Sequence, residues 1–408
     1  MKDARDVIPW KVTDISIRPF ADYWSFNPSI TFDGSQWLCV LRNCDYAMPE
    51  SVTIRSKNAL PTGQQTKNAM VIFDPDGWKP IKIYKMHERD DHPRASTPHV
   101  GYEDMRIFRT DKGGLQGIAA SLHLRRDGRP DGSRPNQVPE QVLLSFNDVY
   151  EIVKARPIRG DGWGSSQKNW VPFDNCIEPR FLFSIDKGRM FDEHGPVHGD
   201  AAVVRPSVNT RSAEPIAPPL PITAPVDVVE LPQQQQPQPQ VKAPKQRDRR
   251  PSIRGGDVRV ARGRRMMLDA GSARAARPAS KTAAARRGDE ATRIMGTGRT
   301  GLPSYNGLRG GTQLVRVGDD TWLGIGHEMK WTNHKKYYWH VFYLVNARGK
   351  VIATSEPMKL ASNTIEFAAG MAIDGDRVVV SFGVDDMESK IGETKLPAVM
   401  EILRPIAR

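Results

Sequence analysis

The chain has 408 residues, 38% of them hydrophobic and 26% charged, which is enough for one large or two ordinary domains with a packed core. No apolar run approaches the ~20 residues of a membrane helix, and the N-terminus, Met1-Lys-Asp-Ala-Arg-Asp, has no apolar signal core, so no membrane span and a cytoplasmic location are expected. The net charge of +12 is local: residues 242–299 hold 17 Lys/Arg against 5 Asp/Glu while the remainder holds 42 of each, so weak polyanion contact is expected of that segment alone.

Short strand signals separated by turn residues fill the first half of the chain. Ser29-Ile-Thr-Phe leads through Asp33-Gly-Ser into Gln36-Trp-Leu-Cys-Val-Leu-Arg42, and Ala69-Met-Val-Ile-Phe follows. Asp104-Met-Arg-Ile-Phe leads through Lys112-Gly-Gly into Gly117-Ile-Ala-Ala-Ser-Leu, with Gln141-Val-Leu-Leu-Ser-Phe after it. Trp170-Val-Pro-Phe precedes Arg180-Phe-Leu-Phe-Ser-Ile. The pattern then stops. Nine prolines lie between Pro206 and Pro239, a Gln233–Gln236 run sits among them, and an Arg/Ala/Gly tract extends to Gly288. So few large apolar residues cannot repay the entropy of ordering, and residues 205–300 read as a disordered insertion. The hairpin pattern resumes with Thr312-Gln-Leu-Val-Arg-Val, Gly318-Asp-Asp and Trp322-Leu-Gly-Ile-Gly-His327, followed by Trp339-His-Val-Phe-Tyr-Leu-Val. It ends with Ala369-Gly-Met-Ala-Ile, Asp374-Gly-Asp and Arg377-Val-Val-Val-Ser-Phe-Gly, and a last strand signal at Val399-Met-Glu-Ile-Leu.

Corresponding points at Asn27, Asp104, Asn169, Gly311 and Ala369 are 77, 65, 142 and 58 residues apart, and removing the 96-residue insertion turns 142 into 46. Five repeated sheets of this size predict an all-β fold, a five-bladed β-propeller interrupted by the insertion. Blades 1–3 would occupy residues 1–204 and blades 4–5 residues 301–408. A two-sheet sandwich would use the same strand signals. Cys39, Cys44 and Cys176 have neither a disulfide pattern nor zinc spacing and are expected to be reduced thiols.

Six short motifs occur in order: Phe26-Asn-Pro-Ser29, Gly101-Tyr-Glu-Asp-Met-Arg-Ile107, Lys168-Asn-Trp-Val-Pro-Phe173, Leu308-Arg-Gly-Gly-Thr-Gln313, Gly326-His-Glu328 and Ser381-Phe-Gly-Val-Asp-Asp386. As a set they resemble glycoside hydrolase family 130, the five-bladed β-mannoside phosphorylases and related hydrolases, and most nearly an uncharacterised bacterial branch of it. The resemblance implies an inverting enzyme acting on a β-glycosidic, by family a β-mannosidic, bond of an oligosaccharide or glycoside. It places Asp104 on the family's catalytic aspartate, the general acid. Inverting cleavage needs such an acid and a nucleophile on the opposite face. A phosphorylase uses inorganic phosphate there as co-substrate, and the scheme requires neither metal nor organic cofactor.

A phosphate clamp needs cationic forks and hydrogen-bond donors. Arg42, Lys168, Arg309 and His327 stand at or just beyond strand ends, and Tyr337 and Tyr338 could add hydroxyls. Arg106, Asn169, Trp170, Glu328 and Asp385 complete the candidate substrate-binding set, with Trp170 as the ring that would stack on a sugar. Each has a plainer alternative: Asp104 as a turn aspartate paired with Arg106, the cations as inter-blade pairs, Trp170 as core. A hydrolase would need a second carboxylate, for which Glu178, Glu328, Glu366 and Asp385 are available. Glu328 follows His327 where family members commonly have a small residue. β-Mannosyl transfer and a non-catalytic propeller binding glycans or polyanions are the alternative readings, and the sequence is silent on oligomeric state. Gly296-Thr-Gly-Arg-Thr-Gly301 follows no strand and opens no helix, so it is not a dinucleotide site. The loop cluster His87, Glu88, Asp91, His92 and His99 matches no metal-ligand spacing.

Overall fold

The structure is a computed structural model that describes residues 2–15, 17–47, 55–56, 65–89, 100–112, 114–121, 140–158, 169–185, 187–207, 307–332, 335–361 and 365–406. The expected insertion lies outside these residues from 208 onward, as do the polyanion segment, Lys168, Asp91, His92 and His99. Arg205, Pro206 and Ser207, assigned to the insertion by composition, belong to the folded part. Ile177 N–H donates to the Arg205 carbonyl, and Ser207 N–H to that of Asn175.

Two strands precede the first sheet, β1 (Lys2–Asp3) and β2 (Lys11–Asp14). Blade 1 is β3 (Trp24–Phe32), β4 (Trp37–Cys44), β7 (Thr66–Phe73) and β8 (Pro80–Lys85), with a small ribbon of β5 (Tyr46–Ala47) and β6 (Arg55–Ser56) between its second and third strands. Blade 2 is β9 (Tyr102–Thr110), β10 (Gly114–Ser121), β11 (Glu140–Phe146) and β12 (Ile152–Pro157). Blade 3 is β13 (Val171–Pro172), β14 (Phe181–Ser184), β15 (Arg189–Asp192) and β16 (Gly195–Pro196). Blade 4 is β17 (Val315–Gly318), β18 (Thr321–Thr332) and β19 (Lys335–Asn346), whose outer edge is shared by β20 (Val351–Thr354) and β21 (Met358–Lys359). Blade 5 is β22 (Glu366–Asp374), β23 (Arg377–Val384) and β24 (Glu388–Lys395), and its outermost strand is β2 from the N-terminus. The last strand signal is instead helix α1 (Leu396–Ile402), begun by Pro397 near its first turn and anchored by buried Val399, after which β25 (Arg404–Pro405) pairs with β20.

Five antiparallel sheets in series, with an N-terminal strand completing the C-terminal sheet, make a closed five-bladed β-propeller. Closure leaves no broad sheet edge between the chain ends. A clasp reinforces the seam between blades 5 and 1. The Arg377 guanidinium lies 5.4 Å from the Trp37 ring and 5.3 Å from the Trp78 ring. It donates to Glu393 at 2.8 Å and to the Pro75 carbonyl at 3.1 Å, while Trp78 Nε1 reaches the other Glu393 oxygen at 3.0 Å.

The first strand of each blade lies innermost, and these strands touch one another. Gln313, fully buried, donates from Nε2 to the carbonyls of Ile30 and Met371, both at 2.6 Å, and accepts from Met371 N–H at 3.2 Å. One side chain thus joins blade 4 to blades 1 and 5. Gly370 allows the same approach, since a Cβ there would sit 2.2 Å from the Ile30 nitrogen. Gly370→Ala is therefore expected to cost about 2–4 kcal/mol, measured as a fall in the urea midpoint with unchanged m-value.

Candidate active site

The inner strands do not run straight at one end. In β3 the pairing with β4 skips between Phe26↔Arg42 and Ser29↔Val40. In β9 it skips between Glu103↔Ala120 and Arg106↔Ile118, and in β22 between Ala368↔Phe382 and Gly370↔Ser381. Before β17, Arg309 pairs with His327 while Thr312 N–H reaches the Ile325 carbonyl, leaving Gly310 and Gly311 as the extra residues. These bulges fall at the repeat points Asn27, Asp104, Gly311 and Ala369. Asn27, Asp104 and Asn169 have φ of +48°, +49° and +63°. That left-handed region is one Asn and Asp tolerate better than other side chains. A bulge re-aims a side chain, and here it does so at one end of four neighbouring strands.

Asp104 is the centre of what results. Its Oδ1 accepts from Arg42 Nη1 at 2.6 Å and from Asn27 Nδ2 at 3.0 Å. Arg42, 5% exposed on β4, lies 3.6 Å through Nη2 from Glu103 and 5.1 Å from the Phe26 ring centroid. One guanidinium therefore serves two adjacent carboxylates. Arg106, the partner expected if Asp104 were a turn residue, instead holds the Asp104 backbone carbonyl at 2.8 Å.

A second wall comes from blade 4, where β18 and β19 run to 12 residues each. The His327 ring packs 5.0 Å from Tyr338 and 5.3 Å, edge-on, from Phe367. Burial pushes the Tyr338 hydroxyl well above the ordinary tyrosine range; the charges of Asp386 and then Asp104 add to this, and Arg309 opposes it. Tyr338 thus stands in the electrostatic reach of Asp104, Asp386 and Arg309 together and remains a protonated donor at neutral pH.

The described site therefore gathers an aspartate held by an arginine and an asparagine, a protonated phenol, a buried imidazole, a second aspartate and an exposed arginine. No family model matches the chain, and no curated protein matches it. Among solved structures it is similar to the β-1,2-mannobiose phosphorylase from Listeria innocua, with 11% identity, 96% of each chain covered and a TM-score of 0.41. A glycosyl hydrolase from Bacteroides ovatus shares 9% identity over 94% of this chain and 86% of its own, at TM-score 0.47. A mannose phosphorylase from Leishmania mexicana, in complex with phosphate ion, shares 10% identity over 97% and 91%, at TM-score 0.41. Identities near one residue in ten leave the roles of individual side chains to the geometry of this chain.

The expected site residues divide accordingly. Asp104 pairs with Arg42, and Arg309 pairs through its backbone with His327; Tyr338, packed on His327, is the side chain on which Asp104 and Arg309 both act electrostatically. Arg106 is 1% exposed and its donors go to the Gly311 carbonyl at 2.5 Å, the Asp104 carbonyl, and Asn169 Oδ1 at 3.0 Å, so it joins blades 2, 3 and 4 rather than facing a ligand. Burial lowers its pKa to about 10. Asn169 is correspondingly its partner. Trp170 is fully buried among Phe181, Phe183 and Phe191, 4.5 Å from the last, and cannot stack on a sugar. Glu328 alternates with His327 and turns to the opposite face of β18, where Lys330 is 3.8 Å away. Of the other candidate second carboxylates, Glu178 pairs with Lys112 at the far end of β9, and buried Glu366 accepts from Leu360 and Ala361 N–H. Asp385 accepts from Ile365 N–H at 3.1 Å. Asn27 and Asp386 were not in the candidate set. Asn27 carried a signal, since it occupies the same repeat point as Asp104. Asp386 did not: it enters because Asp385 and Asp386, φ +52° and +51°, form the tight turn between β23 and β24.

Next to His327 across the β18–β19 ladder, buried His340 is held neutral, its pKa lowered to about 3 by burial and then by the charge of Lys359. An unfolded chain takes up this proton below about 6.5 and the folded one does not, so stability is lost as pH falls from about 6.5 towards 3, by up to about 1.4 kcal/mol per pH unit. Asp174, pushed up to about 6 by burial, works in the opposite direction. The comparison is therefore between variants: His340→Gln is expected to lose less stability than the parent between about pH 7 and pH 4.5 in urea titrations.

Proposed function

We propose that the protein is a carbohydrate-active enzyme that cleaves or forms a β-glycosidic bond with inversion, Asp104 acting as general acid. The observation that carries this reading is the Asp104 carboxyl, held by Arg42 and Asn27 on a left-handed bulge and acting electrostatically on the Tyr338 hydroxyl. Glycoside cleavage asks for a carboxylic acid over the leaving oxygen and a group on the opposite face that supplies or activates the nucleophile. The motif resemblance adds the substrate class, a β-mannoside.

Phosphate and water are both open as nucleophile, and Asp386 is the carboxylate that a hydrolytic reading would use. Asp386, in the turn after β23, acts electrostatically on the Tyr338 hydroxyl and would be the second carboxylate that inverting hydrolysis requires. Among the described cations, Arg42 is engaged by Asp104 and Glu103 and Arg106 by backbone carbonyls, which leaves Arg309 as the described guanidinium suited to an anion. Hydrolysis with Asp386 as base is accordingly the second reading beside phosphorolysis.

The test is a product screen on β-mannosides with and without inorganic phosphate. Sugar 1-phosphate formed only with phosphate assigns phosphorolysis, and free sugar in both arms assigns hydrolysis. Asp104→Asn is expected to reduce either rate by about 10²–10⁴-fold with the fold unchanged. Asp386→Asn is expected to do so where free sugar is the product. Full activity in Asp104→Asn would refute the assignment.

A further inference from the structure

Lys359 is a charged residue buried to 4% exposure on β21, which pairs with β19 beside His340. Its Nζ donates to the Tyr338 carbonyl at 2.5 Å and lies 5.6 Å from the Tyr337 ring and 5.4 Å from the Trp339 ring. Side chains alternate along β19, so Tyr337 and Trp339 meet the ammonium while Tyr338 between them turns to the other face, towards His327. Lys359 thus grips the strand from behind at the residue whose hydroxyl lies in the site.

The grip is itself held. Glu366, fully buried, accepts from Leu360 N–H at 2.8 Å and Ala361 N–H at 2.9 Å, fixing the chain directly after Lys359, and its charge supports the ammonium against burial. His340 on β19 lies 3.8 Å through Nδ1 from Glu366, and its Nε2 accepts from Ala368 N–H on β22 at 3.4 Å. The loop runs from β19 through Lys359 and Glu366 to β22, and back through His340. Phe367, next to Glu366, is the ring packed on His327. Strand β1 pairs in parallel alongside, Asp3 opposite Lys359.

A buried ammonium is a poor source of stability, because its desolvation offsets most of what its hydrogen bond and neighbouring charge supply. A fixed geometry is what such a group supplies. We infer that Lys359 is a positioning residue of the candidate site, fixing the Tyr338 hydroxyl through the Tyr338 backbone. The inference rests on the reading of that end of the propeller as the functional site, but its test does not require turnover.

The full chain is labelled with 3-fluorotyrosine, whose phenol ionises at lower pH than tyrosine's, and followed by 19F NMR, with Tyr338 assigned from Tyr338→Phe. In the parent the Tyr338 resonance is expected not to titrate between about pH 7 and pH 10 while exposed tyrosines do. In Lys359→Met it is expected to shift and to titrate with the exposed set, at a melting temperature close to the parent's. Lys359→Arg, which keeps the charge and a donor, is expected to restore much of the parent behaviour. Where Lys359→Met does not fold, Glu366→Gln takes its place and is expected to displace the same resonance. A Tyr338 resonance unmoved and silent in the folded variant overturns the inference. On a glycoside that the parent turns over, Lys359→Met is expected to lower kcat by about 10²-fold with KM little changed. Loss of turnover by the parent on all glycosides would defeat the catalytic reading and leave the NMR result standing.

Discussion

The interior hydrogen bonds at the propeller axis are the constraint on which the rest depends. Five inner strands converge with few long side chains between them, and backbone carbonyls there have no ladder partner on the axial side. Such groups must be satisfied if they are to be buried. Arg106 and Gln313 do this between them, reaching carbonyls of Gly311, Asp104, Ile30 and Met371 from a fully enclosed position. Burying a guanidinium is costly, visible in the lowered pKa of Arg106, and several directed hydrogen bonds offset that cost. The consequence is a rigid axis. Glycines such as Gly370 let the strands approach that closely, and a methyl group there would meet backbone.

A rigid axis makes a bulge useful. When the ladder skips a residue in β3, β9 and β22 at the same level, the residues at the skip leave the regular alternation and turn towards the end of the axis. Asn27 and Asp104 adopt the left-handed conformation needed to do so and then bond to each other across the blade boundary. The strain of two left-handed residues is shared with an ion pair that neither blade could form alone. Strain held by tertiary contacts in this way is common at functional sites.

The strand framework was legible because its signals are local. Turn residues between apolar runs marked the hairpins, and the spacing became regular once the proline- and arginine-rich stretch was removed. Two of the bulges were foreshadowed, since the repeat points Asn27 and Asp104 are left-handed residues at register skips of β3 and β9. What escaped was decided by tertiary partners. Val399 is apolar in a strand-like run, yet Pro397 and a free face turn that run into α1, while the strand that closes blade 5 comes from the opposite terminus. Trp170 and Arg106 look like ligand residues in a list of motifs. One is enclosed by three phenylalanines and the other by carbonyls, and neither fate is written in the neighbouring sequence. Asp386 failed for the same reason in reverse, because only the turn geometry separates its direction from that of Asp385.

The chemistry of the site follows from its mixture of donors and acceptors. Tyr338 keeps its proton, so towards a ligand its hydrogen is always available, and Asp386 and Asp104 both act on it electrostatically. A hydroxyl both donates and accepts, so a ligand with several adjacent hydroxyls can satisfy phenol and carboxyl groups together. The guanidinium of Arg42 is drawn to its own carboxylates on the protein side, at 2.6 and 3.6 Å, and so offers no uncommitted fork. Exposed Arg309, beside the same phenol, is the counterweight.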